Sequence, residues 1–187
     1  MTPTEQIATR DKERTRRAIL DAAERMLHDR GSKVSLADIA AAAGVTKGGL
    51  THHFPSRHTL ILGVFEHGIA RMWEEVRAQI DLSENRAGKF TRAYVRALTG
   101  GSDYLTHVFN PTGLIGTLGY AAEVVTLYEQ DSEKWNAAFA ADGLPWPRVL
   151  AIRAAAEGLA IAISTPYLTQ ADLSLARAEL LALTEPQ

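Results

Sequence analysis

The chain has 187 residues, no cysteine, 46% hydrophobic residues and a formal net charge of −2 at pH 7. This composition allows a buried core, and it excludes a disordered chain, a disulfide scaffold and a thiolate metal site. No segment reaches the ~18 apolar residues of a membrane span, and the polar N-terminus has no apolar signal-peptide core. We therefore expect a cytoplasmic protein that does not enter the membrane.

Charge is distributed unevenly along the chain. Residues 1–60 carry ten Lys and Arg against seven Asp and Glu, a net +3, whereas residues 61–187 carry ten against fifteen, a net −5. A basic first part and an acidic remainder are typical of a protein that meets phosphates with one end only.

Apolar residues recur at helical spacing almost throughout, and alternation with period two is scarce, so the predicted fold class is all-α. Gly31 ends the first helix, and Ser35 and Thr46 are predicted N-caps, with Asp38 completing a capping box behind Ser35. In chain order, the predicted helices cover about 11–30, 35–44, 46–53, 56–81, 86–99, 111–128, 132–141, 147–164 and 170–183.

The segment Leu36–Pro55 has the spacing of a helix-turn-helix. Ala40 is small where two helices come close, and Gly44 stands where the first of them must end in a left-handed residue. Leu50 lies where the second helix turns inward. Such a unit presents its second helix to the DNA major groove.

The second helix of this unit carries the residues that we expect to meet DNA. Glycines lack side chains, so the backbone there can lie close to DNA, although each costs the helix up to ~1 kcal/mol. The alternative is that the glycines only mark a loop. The candidate DNA-binding residues here are Thr46, Lys47, Gly48, Gly49, Thr51, His52 and His53.

Phosphate contacts are expected from the elements around this helix. Ser35 opens the preceding helix, and Arg57 opens the following one. A basic run at the start of the first helix adds candidates, although Asp11 and Glu13 interrupt it and a solvated face is the alternative. The basic residues of this run are Arg10, Lys12, Arg14, Arg16 and Arg17, of which Arg14 and Arg17 are the selected candidates.

Other kinds of site are not predicted. His52 and His53 point about 100° apart on a helix, whereas helical metal ligands are spaced at i, i+4, so we expect no metal site and no cofactor. Nucleophile-elbow, phosphate-loop and paired-carboxylate patterns are missing, which does not favour an enzyme. A small helical enzyme and a protein–protein adaptor that no longer binds DNA remain as alternatives.

The motif from Ile39-Ala40 through Gly44-Val45 to Thr46–Arg57 resembles the DNA-binding domain of the TetR family of bacterial transcriptional regulators, over roughly Arg14–Phe65. The resemblance implies an all-helical homodimer that binds an operator, with a small-molecule pocket in its C-terminal domain and repression that the ligand relieves. It also implies that Lys47, Thr51 and His52 face DNA.

On the family pattern, Arg57 stands where a phosphate-binding lysine is common. Two positions depart from the pattern: Thr51 replaces a usual tyrosine, and His58 replaces a common acidic residue. The operator sequence is therefore not inferred from relatives.

The predicted domains are 1–55 for DNA binding and 56–187 for ligand binding and dimerisation. Aromatic residues of the second domain could line an apolar pocket with a few polar anchors, and ordinary core is the alternative. Glu123 could pair with a cationic ligand or reach solvent. The selected ligand-binding candidates are Trp73, Tyr94, Tyr120, Glu123, Val124 and Trp135.

The last two helices, about 147–183, are the predicted homodimer interface, since two such hairpins related by a twofold axis form a four-helix bundle. The alternative is that their apolar stripes cover the core of their own domain. The fourth helix carries both Arg57 and Trp73, which predicts coupling between ligand and DNA. The stripe residues are Val149, Ile152, Ala156, Leu159, Ala160 and Ile163, then Leu173, Ala176, Leu180 and Leu183.

Overall fold

The computed structural model describes residues 3–108, 122–163 and 165–185. This part of the chain is helical and contains no strand, which confirms the all-α prediction. Its helices are α1 (Pro3–Arg30), α2 (Leu36–Ala42), α3 (Lys47–His53), α4 (Arg57–Ala78), α5 (Lys89–Arg96), α6 (Asp103–Val108), α7 (Ala122–Ala140), α8 (Trp146–Ala162) and α9 (Gln170–Ala182).

The described residues form two compact units, 3–69 with 122–125 and 70–108 with 126–163 and 165–185. The predicted boundary between residues 55 and 56 stays a prediction. None of the described helices has the length and apolarity needed to cross a bilayer.

The first unit has a small core built by α1, α2, α3 and the start of α4. The α1 helix begins eight residues earlier than predicted, with Pro3 at its first position, where the missing N–H costs no helical hydrogen bond. The buried core residues are Ile19, Leu20, Ala23, Leu27, Val34, Ile39, Ala40, Leu50, Phe54, Leu60 and Val64.

The predicted turn chemistry of this unit is confirmed. Ser35 and Asp38 form a capping box at the start of α2. Gly44 has a φ of 69°, its N–H bonds the Ala41 carbonyl at 3.1 Å, and the Val45 N–H bonds the Ala40 carbonyl at 2.9 Å. These two hydrogen bonds are the Schellman pattern that ends a helix, and they fix the direction in which α3 leaves the turn.

The second unit differs from the prediction in its helix boundaries. The predicted helix 86–99 is shorter, α5, and continues into a π-type segment, Ala97–Gly101, in which Thr99 and Gly100 have non-helical dihedrals. The helix α6 was not predicted, and Ser102 caps it by accepting a 3.0 Å hydrogen bond from the Leu105 N–H.

The break predicted between the helices at 111–128 and 132–141 is wrong, although residues 122–128 and 132–140 are helical as predicted. Residues 111–121 lie outside the described residues, and from Ala122 to Ala140 the chain is one helix, α7, without a break before Ser132.

The apolar stripe predicted on α8 as a dimer contact is largely core of its own unit. Val149, Ile152, Ala156 and Ala160 are fully buried and belong to the same core cluster as Tyr94 of α5. On α9, Leu180 is in this cluster and Leu173 is buried too. The four stripe residues of α8 are thus buried within one chain and cannot contact a second copy, which corrects their assignment to the interface. That the dimer forms through the last two helices stays a prediction.

A second apolar stripe lies on the solvent-exposed side of the same two helices. It follows helical spacing on each of them, so it is a continuous strip and not scattered residues. The exposed residues are Trp146, Leu150, Ala154, Gly158 and Ile161 on α8, and Ala171, Leu175, Ala178 and Ala182 on α9.

Candidate DNA-binding and ligand-binding sites

The start of α3 is exposed and firmly capped. Thr46 Oγ1 accepts a 3.0 Å hydrogen bond from the Gly49 N–H, which confirms the predicted N-cap. Leu50 is fully buried and packs α3 against the core of the first unit. Lys47, on the first turn, is exposed and makes no hydrogen bond or ion pair with the described residues. A cationic side chain is therefore presented at the helix start.

The two glycines of α3 differ in their surroundings. A Cβ built on Gly48 would meet only Thr46 Oγ1, at an ordinary 3.9 Å, whereas one on Gly49 would lie 3.3 Å from the same oxygen. Neither glycine has a positive φ. Folding therefore does not require a glycine at position 48, which instead leaves the backbone uncovered on the outer face.

The hydroxyl of Thr51 is already in use. It donates a 3.0 Å hydrogen bond to the Gly48 carbonyl one turn earlier. In the unbound protein this O–H is therefore engaged, and the oxygen lone pairs and the methyl group of Thr51 remain for contact with DNA.

The two adjacent histidines lie in different environments. His52 is exposed, and its ring centroid is 5.7 Å from that of the half-buried His53. Partial burial lowers the pKa of His53 below its usual value, and the positive charges of His52, Lys12 and Arg16 lower it further. His53 is therefore harder to protonate than an ordinary histidine, and basic residues of α1 contribute to this effect.

Arg57 has a structural contact as well as a candidate phosphate contact. Its Nη1 donates to the backbone carbonyl of Val34, the residue before the Ser35 cap of α2. The guanidinium thus ties the start of α4 to the start of α2. A guanidinium has five N–H donors, of which this bond uses one.

The other candidate phosphate-binding residues differ in how far their polar groups are engaged within the protein. Ser35 uses its hydroxyl on Asp38 at 2.6 Å, as part of the capping box. Arg14 is exposed, and its Nη2 lies 3.1 Å from Asp11 Oδ1. Arg17 is also exposed on α1. Exposed pairs of this kind contribute little to stability, so Arg14 is readily available to another anion.

Three of the ligand-binding candidates meet in the second unit. The indoles of Trp73 and Trp135 are stacked, with ring centroids 3.8 Å apart, and Tyr94 meets Trp135 edge-on at 5.5 Å. Phe90 and Phe139 extend this aromatic cluster. Tyr94 and Trp135 are buried, whereas Trp73 is half-buried.

Two acidic residues that were not predicted as site residues contact this aromatic cluster. Asp131 accepts the indole N–H of Trp73 at 2.7 Å and that of Trp135 at 2.9 Å. Glu157 accepts the Tyr94 hydroxyl at 2.7 Å; burial above all, and then this carboxylate, raises the pKa of the phenol. The available signal was the i, i+4 spacing of Asp131 and Trp135 on one helix.

The remaining ligand-binding candidates do not lie in this cluster. Tyr120 is outside the described residues, and Glu123 and Val124 belong to the first unit. Glu123 is exposed, and its Oε1 lies 3.6 Å from His58 Nε2. Glu123 was expected either to pair with a cationic ligand or to reach solvent, and in the described structure it contacts solvent and a histidine. Val124 is buried.

Comparison with known proteins places this architecture in a family. A model described as "Bacterial regulatory proteins, tetR family" matches residues 19–64, and one described as "Tetracyclin repressor-like, C-terminal domain" matches residues 88–185. The second covers more than half of the chain. The chain belongs to the TetR family. TetR-family proteins are DNA-binding regulators and not enzymes, which confirms that expectation.

Individual TetR-family relatives agree with this assignment. The repressor LfrR of Mycolicibacterium smegmatis, described as an HTH-type transcriptional repressor, is 46% identical over 56 residues. That match covers 30% of this chain and 29% of LfrR, so the chain spans less than a third of the length of this curated relative.

Solved structures of TetR-type proteins share the fold over nearly the whole chain. A putative TetR-family regulator from a Rhodococcus species has a TM-score of 0.70 and 19% identity, covering 91% of this chain and 96% of that one. The multidrug binding protein EbrR, complexed with malachite green, has a TM-score of 0.63 and 26% identity, covering 91% and 98%.

Proposed function

We propose that this chain is a ligand-responsive repressor that acts in the cytoplasm, binds a palindromic operator as a homodimer and leaves it when a small molecule binds. Residues 1–55 form the DNA-binding domain in this proposal, and residues 56–187 the ligand-binding and dimerisation domain. The observation that carries it is the outer face of α3, where exposed Lys47 stands beside a glycine that intramolecular packing does not require. The description of LfrR as a repressor supports repression over activation.

DNA contact is assigned to the exposed side of α3 and to the basic residues beside it. Gly48 lets the backbone approach the duplex, and Lys47 supplies charge to a phosphate or a base edge. The methyl of Thr51 and the exposed ring of His52 complete the face toward the groove. Flanking phosphate contacts are assigned to Ser35, Thr46, Gly49, His53, Arg57, Arg14 and Arg17.

The effector is assigned to the aromatic cluster of the second unit. Stacked Trp73 and Trp135 offer π-faces, and Asp131 places a carboxylate within hydrogen-bond distance of both indoles. Aromatic faces beside a carboxylate suit a planar aromatic cation. EbrR, which is described as a multidrug binding protein and as a complex with malachite green, supports a broad aromatic specificity. Tyr94, Tyr120, Glu123 and Val124 remain secondary candidates.

Dimerisation is assigned to α8 and α9 through their exposed apolar stripe. Gly158 has open space around it, since a Cβ built there meets nothing within 4 Å. Small residues at positions 154, 158, 171, 178 and 182 permit close approach of a second copy. The assigned helices are the predicted ones, but the contact face is their exposed apolar stripe instead of the stripe that was predicted from the sequence.

Coupling is assigned to α4, which is a single helix carrying both Arg57 and Trp73. A ligand that displaces Trp73 would shift this helix and so change the separation of the two recognition helices in the dimer. A coupling free energy of about 1–3 kcal/mol would change operator affinity by about 5–150-fold.

A mobility shift with the DNA upstream of the gene for this chain tests the proposal. The predicted result is a discrete complex that shuffled DNA of equal length does not compete away, and that a planar aromatic dye such as malachite green dissociates. A complex that the dye leaves intact would remove the effector assignment alone. No complex with upstream DNA would favour the adaptor alternative.

A further inference from the structure

Three side chains with metal-ligating atoms converge in the first unit. Asp21 and Glu24 stand three residues apart on α1, and His67 comes from α4. One donor atom from each lies within 4.8 Å of the other two. His67 lies 46 residues from Asp21 in the sequence, so the spacing of His52 and His53 that argued against a metal site did not bear on this cluster.

The donor geometry is close to what a small divalent cation needs. His67 Nε2 lies 2.7 Å from Asp21 Oδ1. In a tetrahedral zinc site with metal–ligand bonds near 2.1 Å, neighbouring donors are about 3.4 Å apart. The His67–Asp21 separation is shorter than this value and must open by several tenths of an ångström around an ion, while all three donor atoms already lie within 4.8 Å of one another.

Burial and charge also favour a cation at this place. Glu24 is only 4% exposed, and the side chain of His67 is 9% exposed. Ionised carboxylates attract a divalent cation, and two of them lie beside one imidazole here. Asp21 is 38% exposed, which leaves water access to the remaining coordination positions. One nitrogen with two carboxylates is a donor set suited to zinc and its neighbours in the first transition series.

We propose that Asp21, Glu24 and His67 bind one divalent transition-metal ion per chain, such as Zn²⁺. Because the ligands come from α1 and α4, the ion links these two helices and stabilises the first unit. This site does not depend on operator binding or on the effector assignment. The same three groups acting only as an ion-pair network is the competing outcome.

Titration of the chelator-treated full chain with ZnCl₂ in a calorimeter tests the proposal. The expected result is one ion per chain, with affinity lowered at least about tenfold in His67→Gln and in Glu24→Gln. His58→Gln is the matched control, since it removes another α4 histidine that faces Glu123. A Co²⁺ titration adds a visible absorption band that reports nitrogen and oxygen ligation directly.

Several results would overturn the proposal. Wild type without stoichiometric zinc binding would leave only an ion-pair network. Binding unchanged in His67→Gln and Glu24→Gln, or lost in His52→Gln/His53→Gln, would place the zinc on surface histidines. Circular dichroism checks the fold of each variant. Where a buried substitution unfolds the chain, Asp21→Asn takes its place, because Asp21 is partly exposed and its loss is expected to weaken binding equally.

Discussion

Thr46 Oγ1 accepts the N–H of Gly49 at 3.0 Å and would lie only 3.3 Å from a Cβ at that position. The Thr46 cap therefore leaves little room for a side chain at position 49, whereas position 48 has room for one. Packing within the chain therefore favours glycine at position 49 but does not require it at position 48.

Gly48→Ala is expected to separate folding from DNA binding. Alanine favours the helix over glycine by up to about 1 kcal/mol, so the free energy of unfolding should rise slightly. The added methyl should obstruct close approach to DNA and weaken operator affinity more than tenfold. Urea denaturation and fluorescence anisotropy measure the two effects. Gly49→Ala is the comparison, and it should lower stability because its methyl presses on the cap oxygen. Unchanged operator affinity in Gly48→Ala would contradict the close approach.

Arg57→Ala is expected to lower stability and operator affinity together. The variant loses the hydrogen bond to the Val34 carbonyl, and a charge-assisted bond contributes about 1.5–3 kcal/mol. It also loses a phosphate contact, which should reduce the salt dependence of binding. Arg57→Lys should restore the salt dependence, because it keeps the charge. If Arg57→Ala unfolds at a lower denaturant concentration but its operator affinity keeps the salt dependence of wild type, Arg57 acts only by positioning α2.

Glu84 is expected to make the second unit sensitive to acid. Its carboxylate bonds Arg92 Nε at 2.7 Å and Arg96 Nη2 at 3.0 Å. Burial raises the pKa of Glu84, but the hydrogen bonds and charges of the two arginines outweigh this and hold its pKa below the usual value. Its contribution to stability is therefore present above the unfolded-state pKa and is lost as pH falls through the folded-state pKa.

Glu84→Gln should reduce the free energy of unfolding by about 1.5–3 kcal/mol at pH 7, since a charged partner of buried Arg92 is lost. The difference from wild type should shrink between about pH 5 and pH 3. Urea denaturation across this range measures it, with exposed Glu133→Gln as control. A difference that stays constant with pH would mean that the ionised carboxylate contributes nothing.

Leu175→Asp is expected to separate the dimer without unfolding the chain. Leu175 is 71% exposed in the single chain and lies in the outer stripe of α9. Sedimentation should give a monomer with an unchanged circular dichroism spectrum. Leu82→Asp is the matched control, since Leu82 is 88% exposed but lies outside both helices. A dimer that survives Leu175→Asp and dissociates in Leu82→Asp would move the interface elsewhere.

Local signals predicted the first unit well. The caps at Ser35 and Thr46 and the left-handed Gly44 each need only their sequence neighbours to act, so their spacing is sufficient to identify them. The Val34 contact of Arg57 and the cluster around His67 join residues distant in sequence, and no local pattern indicates them.

The second unit was less predictable because tertiary contacts override its local signals. Asp131-Ser132 looks like a helix start, but the Asp131 carboxylate accepts two indole N–H groups and α7 continues through it. Both sides of α8 are apolar, so periodicity could not tell the side carrying Ile152, which faces the core, from the side carrying Leu150.

The salt dependence of operator binding by Lys47→Ala tests the central claim most directly. Affinity for upstream DNA is measured by anisotropy between about 50 and 200 mM salt, with Lys134→Ala on α7 as an exposed control. The account predicts weaker binding by Lys47→Ala and a slope of log affinity against log salt that is shallower by about 0.9 per chain, with Lys134→Ala like wild type. Affinity and slope equal to wild type in Lys47→Ala would contradict the assignment of α3 to DNA.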